Sequence, residues 1–358
     1  MTSNYYNSKV LSTGKSYDLS NPSDRHSYWH DKAGKKIEEL KEFLEHNSFM
    51  AFLVAKKQAG KGTYAKMIEE LLGQERFTHI SVGDVVRKVE KDLKNAYKAK
   101  EITDYLKREY RGFISIEDAL TELRNRTSDK VSVPTELVLT LLKKEIKSSG
   151  NKGIFLDGLP RTMDQVSYSL YFRDLVGSRY EKDFFILIDV PLELIKIRMS
   201  GRRVCPQCGT SRSLVLNPTK FVRFSNARKD GDQFYFLCDN SGCAGYQTAE
   251  YIAKEGDDGG VELIEDRMRL DNELMSTVAN LHGVPNILLN GCYPKDIISN
   301  YLEEYEIQTR YDYQYVNGSV KVTEAPLYFR DEKGQEVGVM RAAVFVLCLI
   351  DQMHSLLI

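Results

Sequence analysis

The segment Phe49 to Thr63, FMAFLVAKKQAGKGT, constrains this chain more than any other. Its first six residues are all apolar and read as a buried strand. Gly60 and Gly62 break that strand, and Thr63 to Leu72 reads as an amphipathic helix closed by Gly73. A strand that turns through small residues into a helix is suited to phosphate. Backbone N–H groups curl round the oxygens and the helix start adds positive potential. Lys61 is placed to reach β and γ phosphates, Thr63 to offer a hydroxyl near a metal, and Ala59, Gly60 and Gly62 to form the cradle. Ala55 stands where the G-x-x-x-x-G-K pattern begins with glycine. If that position needs φ > 0, its Cβ costs on the order of 1 kcal/mol.

Further strand signals recur at His79–Ser81, Gly153–Leu156, Asp183–Val190 and Pro285–Leu289. Helical spacing falls between them, at 162–174, 192–199 and 262–281, and again at 294–304. The stretch from Asp84 to Lys147 is charged and mostly helical, with a break at Gly112. Strands alternating with helices predict an α/β fold: a five-stranded parallel sheet covered on both faces, with ligands beyond the carboxyl ends of the strands.

Both ends of the chain add to this core. Residues 1–34 are polar and either dock or stay mobile, and Lys35 to Asn47 reads as a helix. Beyond residue 306, Asn317-Gly318 between alternating Tyr313, Tyr315, Val320 and Val322 predicts a two-residue hairpin. Gly334 predicts a second turn, and 341–357 an apolar helix. The expected division is an extension over 1–48, a main domain over 49–305 and an appendix over 306–358. Within the main domain, 81–148 and 204–257 are expected as inserts.

Fifty basic residues face 51 acidic ones, so the chain as a whole has no electrostatic grip on nucleic acid or an anionic membrane. There is no secretory h-region at the start, and the apolar run at 342–350 is too short to span a bilayer. A cytoplasmic protein, monomeric unless its terminal segments self-associate, is the expectation. Cys292 and Cys348 sit alone in apolar surroundings and read as buried hydrophobes. The other four cysteines form two knuckles, Cys205-x2-Cys208 and Cys238-x4-Cys243, 29 residues apart. Four thiolates suit tetrahedral Zn²⁺ and leave no open position, so the zinc they predict is structural. Basic and aromatic residues mix at 220–224 and 228–229, but a solvated β-ribbon face explains them better than nucleic acid does.

Several of these segments, in order, resemble the adenylate kinase family. They are Ala55–Thr63, HISVGDVVR from His79 to Arg87, DGLPRT from Asp157 to Thr162, GRRVCPQCG from Gly201 to Gly209, then Asp257-Asp258 and Asp266-Arg267. The resemblance spans roughly 49–305. It implies transfer of a phosphoryl group from MgATP to AMP, beneath a lid pinned by the cysteine knuckles. Arg87 and Arg161 would hold the acceptor phosphate, with Val82, Val133, Gly158 and Gln165 lining its pocket. Arg198, Arg202 and Arg267 would clamp the donor phosphates. Asp157, with help from Asp84, would orient Mg²⁺ through water. Asp84 also suits the N-cap of the following helix. A Gln amide at 165 offers the donor–acceptor pair that adenine presents.

Two departures bear on activity and base choice: Val82 stands where the family has Thr, and Glu255 where it has Arg. A kinase for another nucleoside monophosphate is the neighbouring reading. A non-catalytic nucleotide sensor or RNA-binding module is the more distant one.

Overall fold

The structure, a computed structural model, describes residues 5–124, 133–170, 182–226, 233–254 and 265–358. Helix α1 (Pro22–His46) leads into β1 (Phe49–Ala55), α2 (Lys61–Leu72) and β2 (Phe77–Ser81). Helices α3 (Val82–Asp92), α4 (Ala96–Glu109), α5 (Ile116–Arg124) and α6 (Thr135–Ser148) precede β3 (Gly153–Asp157), α7 (Met163–Leu170) and β4 (Lys182–Asp189). Helix α8 (Leu192–Gly201) opens an antiparallel insert of β5 (Arg202–Val204), β6 (Ser211–Ser213), β7 (Val222–Phe224), β8 (Phe234–Phe236) and β9 (Ile252–Ala253). Helix α9 (Glu265–Ala279) returns to β10 (Asn286–Asn290) and β11 (Cys292–Pro294). The hairpin β12 (Thr309–Val316)–β13 (Ser319–Pro326), the hairpin β14 (Tyr328–Arg330)–β15 (Glu336–Val339) and helix α10 (Ala342–Leu357) follow.

The main sheet is five parallel strands in the order β2-β3-β1-β4-β10. Strand β1 is central and buried throughout, which is why its sequence is apolar without alternation. Phe49, Ala51 and Leu53 face a core shared with α1, α2 and α10. Met50, Phe52 and Val54 face the opposite core, with residues of α3, α6 and α9.

The N-terminal segment docks. Helix α1 begins not at Lys35 but at Pro22, capped by Asn21, whose side chain accepts from the N–H groups of Ser23 and Asp24. Tyr28 and Trp29 are fully buried, and the Trp29 Nε1–H donates to the Ala343 carbonyl of α10 at 2.9 Å. The early part of α1 was not legible as a helix because its face is polar by residue type. Arg25 and Lys32 are buried against partners far along the chain, Glu70 and Glu306.

The helix expected at 294–304 is absent. Cys292–Pro294 pairs antiparallel with Val337–Val339, and two short 3-10 turns at Ile298–Asn300 and Glu304–Glu306 take up the rest. Helix α10 instead packs on the sheet beside β10 and against α1 and α2. Both predicted turns form. Asn317 and Gly318 carry φ of 53° and 80°, and Gly334 of 74°. Burial pushes the Cys292 and Cys348 thiols up to about 12, in keeping with their apolar setting.

Among the described residues, no helix is long and apolar enough to cross a membrane.

Candidate active site

The carboxyl ends of β1, β3 and β4 bring the phosphate loop, Asp157 and Asp189 to one edge of the sheet. Gly60, with φ of 107°, starts α2 without any side-chain cap, and the N–H groups of Thr63 and Tyr64 bond back to its carbonyl. The Lys61 ammonium donates to the Ala55 carbonyl at 2.9 Å and stands 3.7 Å from Asp157 Oδ1. Lys61, Asp157, Gly158, Arg161 and Arg267 line one cleft together with Asp271.

Ala55 does not carry the loop's strain. It is an ordinary strand residue, whereas Gln58 has φ of 65°, the left-handed conformation that favours glycine. Two cations brace the loop around it. Arg198 Nη1 donates to the Gln58 carbonyl at 3.0 Å. Lys56, almost fully buried, donates to the Val190 carbonyl at 2.9 Å and lies 3.2 Å from Asp189 Oδ1.

Of the residues expected to hold the acceptor, Val82 and Arg87 lie on α3, with Asp84 between them. Arg87 Nη2 lies 2.6 Å from Asp84 Oδ1 one turn earlier. Asp84 sits in the first turn and Ser81 holds the N-cap position, so Asp84 is not the cap. A Cβ added at Gly158 (φ 94°) would come within 3.2 Å of Val82 Cβ, so α3 abuts the loop after β3. The Gln165 side chain accepts from the Arg161 backbone N–H at 2.9 Å, and its Nε2 lies 3.2 Å from Thr135 Oγ1. Val133 is partly buried just before α6. A carboxamide fixed at both ends presents a defined edge to a ligand.

Arg202 is not in the cleft. It lies in the insert, on β5 opposite Ser213, with Nε 3.4 Å from Ser211 Oγ. Glu255, Asp257, Asp258, Arg228 and Lys229 lie outside the described residues, as does the side chain of Asp266.

Sequence reasoning missed Lys56, Thr135 and Asp271. Asp271 is buried, and its Oδ1 accepts from Arg267 Nε at 2.8 Å. The i,i+4 spacing of Arg267 and Asp271 on one helix could have revealed it. Lys56 and Thr135 left no such local signal.

The four insert cysteines converge. Their sulfurs lie within 4.8 Å of one another, with Cys205–Cys243 at 3.9 Å and Cys208–Cys238 at 3.8 Å. Sulfurs bound tetrahedrally at about 2.3 Å from a zinc ion would stand about 3.8 Å apart, and a disulfide would need about 2.05 Å. The donor set therefore fits a tetrahedral metal ion. The Gly245 N–H donates to Cys243 Sγ at 3.3 Å, a bond that favours thiolate.

A model of the AAA domain matches residues 59–206. The adenylate kinase of Clostridium acetobutylicum is 37% identical over 164 residues, covering 45% of this chain and 63% of that protein. That of Desulforamulus reducens is 33% identical over 199 residues, 55% of this chain and 79% of the relative. That of Staphylococcus epidermidis is 31% identical over 241 residues, 67% of this chain and 89% of the relative. The chain thus spans less than two thirds of the clostridial protein but nearly all of the staphylococcal one. Joined to a five-stranded parallel sheet whose central strand runs into a lysine-bearing phosphate loop, that coverage means the chain belongs to the adenylate kinase family.

Proposed function

We propose that the chain transfers a phosphoryl group reversibly from MgATP to a nucleoside monophosphate, with AMP the preferred acceptor, giving two ADP. The observation that carries this reading is the cleft shared by Lys61, Asp157, Arg161 and Arg267. Three cations with Asp157 and Asp271 in one cleft suit a reaction in which charge must be gathered and little covalent help is needed.

In this reading Lys61 and the first turn of α2 hold the donor's β and γ phosphates. Arg87 and Arg161 hold the acceptor phosphate, and Arg267 and Arg198, with Arg202 carried by the lid, clamp the donor phosphates. An acceptor phosphate oxygen attacks the γ phosphorus in line. The bond from that phosphorus to the β–γ bridging oxygen breaks, and the electron pair leaves on ADP. Asp157 and Asp84 would hold hydrated Mg²⁺, which neutralises phosphate charge. The four cysteines would hold a structural Zn²⁺ that ties the lid strands together. A site of four zinc-bound thiolates suits a reducing, cytoplasmic setting. Gln165, clamped between Arg161 and Thr135, supports adenine as the acceptor base.

A coupled assay tests the proposal. The purified chain forms ADP from ATP only when AMP is supplied, GMP and UMP substitute poorly, and Lys61→Ala abolishes turnover. AMP-independent hydrolysis, or full activity in Lys61→Ala, refutes it.

A further inference from the structure

We infer that Tyr313 and Tyr315, on the C-terminal hairpin β12–β13, are positioning residues for the lid, and through it for Arg202. The hairpin grips the lid at two places. At the lid's base, the Tyr313 hydroxyl donates to the Leu214 carbonyl at 2.6 Å. The Tyr311 N–H donates to the Val215 carbonyl at 2.8 Å, and Gln308 Nε2 to the Leu216 carbonyl at 3.1 Å. At the outer ribbon β7–β8, the Tyr315 ring stacks on Phe224 with centroids 4.1 Å apart and planes 11° from parallel. Tyr313 stands against Phe234 and Phe236, at 5.6 and 6.2 Å.

The base contact leads directly to a predicted catalytic side chain. The Leu214 N–H donates to the Gly201 carbonyl at 2.9 Å, and Ser213 pairs in register with Arg202. A pull on Leu214 therefore moves the strand pair that carries Arg202. The other end of the hairpin is fixed to the body: Leu327 N–H donates to the Gln308 carbonyl and Gln308 N–H to the Val339 carbonyl, both at 2.7 Å. Strand β15, which holds Val339, pairs in turn with β11 just after the last strand of the main sheet. The lid is thus held to the sheet at its hinge and also through a rigid strut that reaches its far ribbon. Lids commonly gate substrate entry and product release. Here the gate carries a second anchor, and the period-2 tyrosines of β12 are its contact face.

This inference rests on the proposed kinase reading only in its kinetic part, so the test has two arms. Wild-type full-length protein, Tyr315→Ala, Tyr315→Phe and Tyr313→Phe are compared by amide hydrogen exchange over 202–226 and 233–254, and by initial rates against ATP and AMP. Tyr315→Ala raises lid exchange and the KM for ATP by about three- to tenfold, the loss expected for a stacked aromatic pair. It leaves the KM for AMP and exchange in the main sheet unchanged. Tyr315→Phe keeps wild-type behaviour, and Tyr313→Phe raises exchange at 213–216 selectively. Unchanged lid exchange in Tyr315→Ala, or equal rises in both KM values, overturns the inference. Exchange needs no turnover, so an inactive wild-type protein refutes the proposed function while exchange still decides the positioning role.

Discussion

Lys32 on α1 and Glu306, just before the C-terminal hairpin, form an ion pair at 2.7 Å with both side chains fully buried. Around the carboxylate, the Tyr28 hydroxyl donates to Oε1 at 2.8 Å, the Glu303 N–H donates to Oε2 at 2.8 Å, and the Ser8 hydroxyl donates to Oε2. The Lys32 ammonium donates also to the Ser8 carbonyl at 3.1 Å. Desolvation first, and the Glu306 charge second, push the Tyr28 phenol well above its usual range, so it stays a donor. Glu306→Leu removes the acceptor of four bonds and leaves a buried ammonium with one carbonyl partner. Loss of one partner of a buried pair costs about 3–5 kcal/mol. Lys32→Met leaves the carboxylate three donors, so its cost lies at the lower end of that range. The double variant Lys32→Met/Glu306→Leu strands no charge. It should cost less than Glu306→Leu alone, because two desolvation penalties vanish together with the attraction. Urea unfolding of the four proteins, followed by far-ultraviolet circular dichroism, gives the cycle. Single-variant costs below about 1 kcal/mol, or a double variant equal to the sum of the singles, would refute the idea that this pair fastens α1 to the C-terminal segment.

Three further outcomes are expected. Because Gln58 already adopts a left-handed φ, Gln58→Gly is neutral or stabilises by up to about 1 kcal/mol, whereas Gln58→Val costs about 1–2 kcal/mol; urea midpoints check both. Metal analysis finds one zinc per chain, and stripping it with a chelator exposes four thiols to Ellman's reagent and abolishes ADP formation; a metal-free protein with full activity would contradict the structural role. Burial lowers the pKa of His79 below its usual 6.5, so below about pH 6.5 the unfolded chain binds a proton that the folded one refuses. Stability should fall as the pH drops through that window, by up to about 1.4 kcal/mol per pH unit from this group, and His79→Gln should flatten that part of the profile.

What the sequence disclosed followed from how local each signal is. The phosphate loop, the apolar central strand, the Asn317-Gly318 turn and the two cysteine knuckles depend on residues within a few positions of one another. The segment 294–304 has helical spacing but forms no α-helix, because β11 at its start pairs with Val337–Val339, some forty residues later. The first half of α1 was missed because Arg25 and Lys32 look solvated until Glu70 and Glu306 arrive to pair with them. In the site, Lys61 and the arginines of the DGLPRT and GRRVCPQCG segments announce themselves by pattern. Lys56 does not, since its partners at Asp189 and Val190 become neighbours only when β1 and β4 lie side by side. The strain at Gln58, rather than at Ala55, could be located only from backbone geometry.

Trp29 donates its indole proton to a carbonyl 314 positions further along the chain. At ribosomal rates of about 5–20 residues per second, that bond waits roughly 15 to 60 seconds after Trp29 is translated. Throughout that interval α1 lacks the helix that covers it, and its large apolar rings stand exposed in the nascent chain. The main sheet is itself incomplete until β10 emerges, and the first helix is sealed only when α10 follows it. Slow elongation or premature termination should therefore fall hardest on α1, making the nascent protein a client for chaperones that shield aromatic surface.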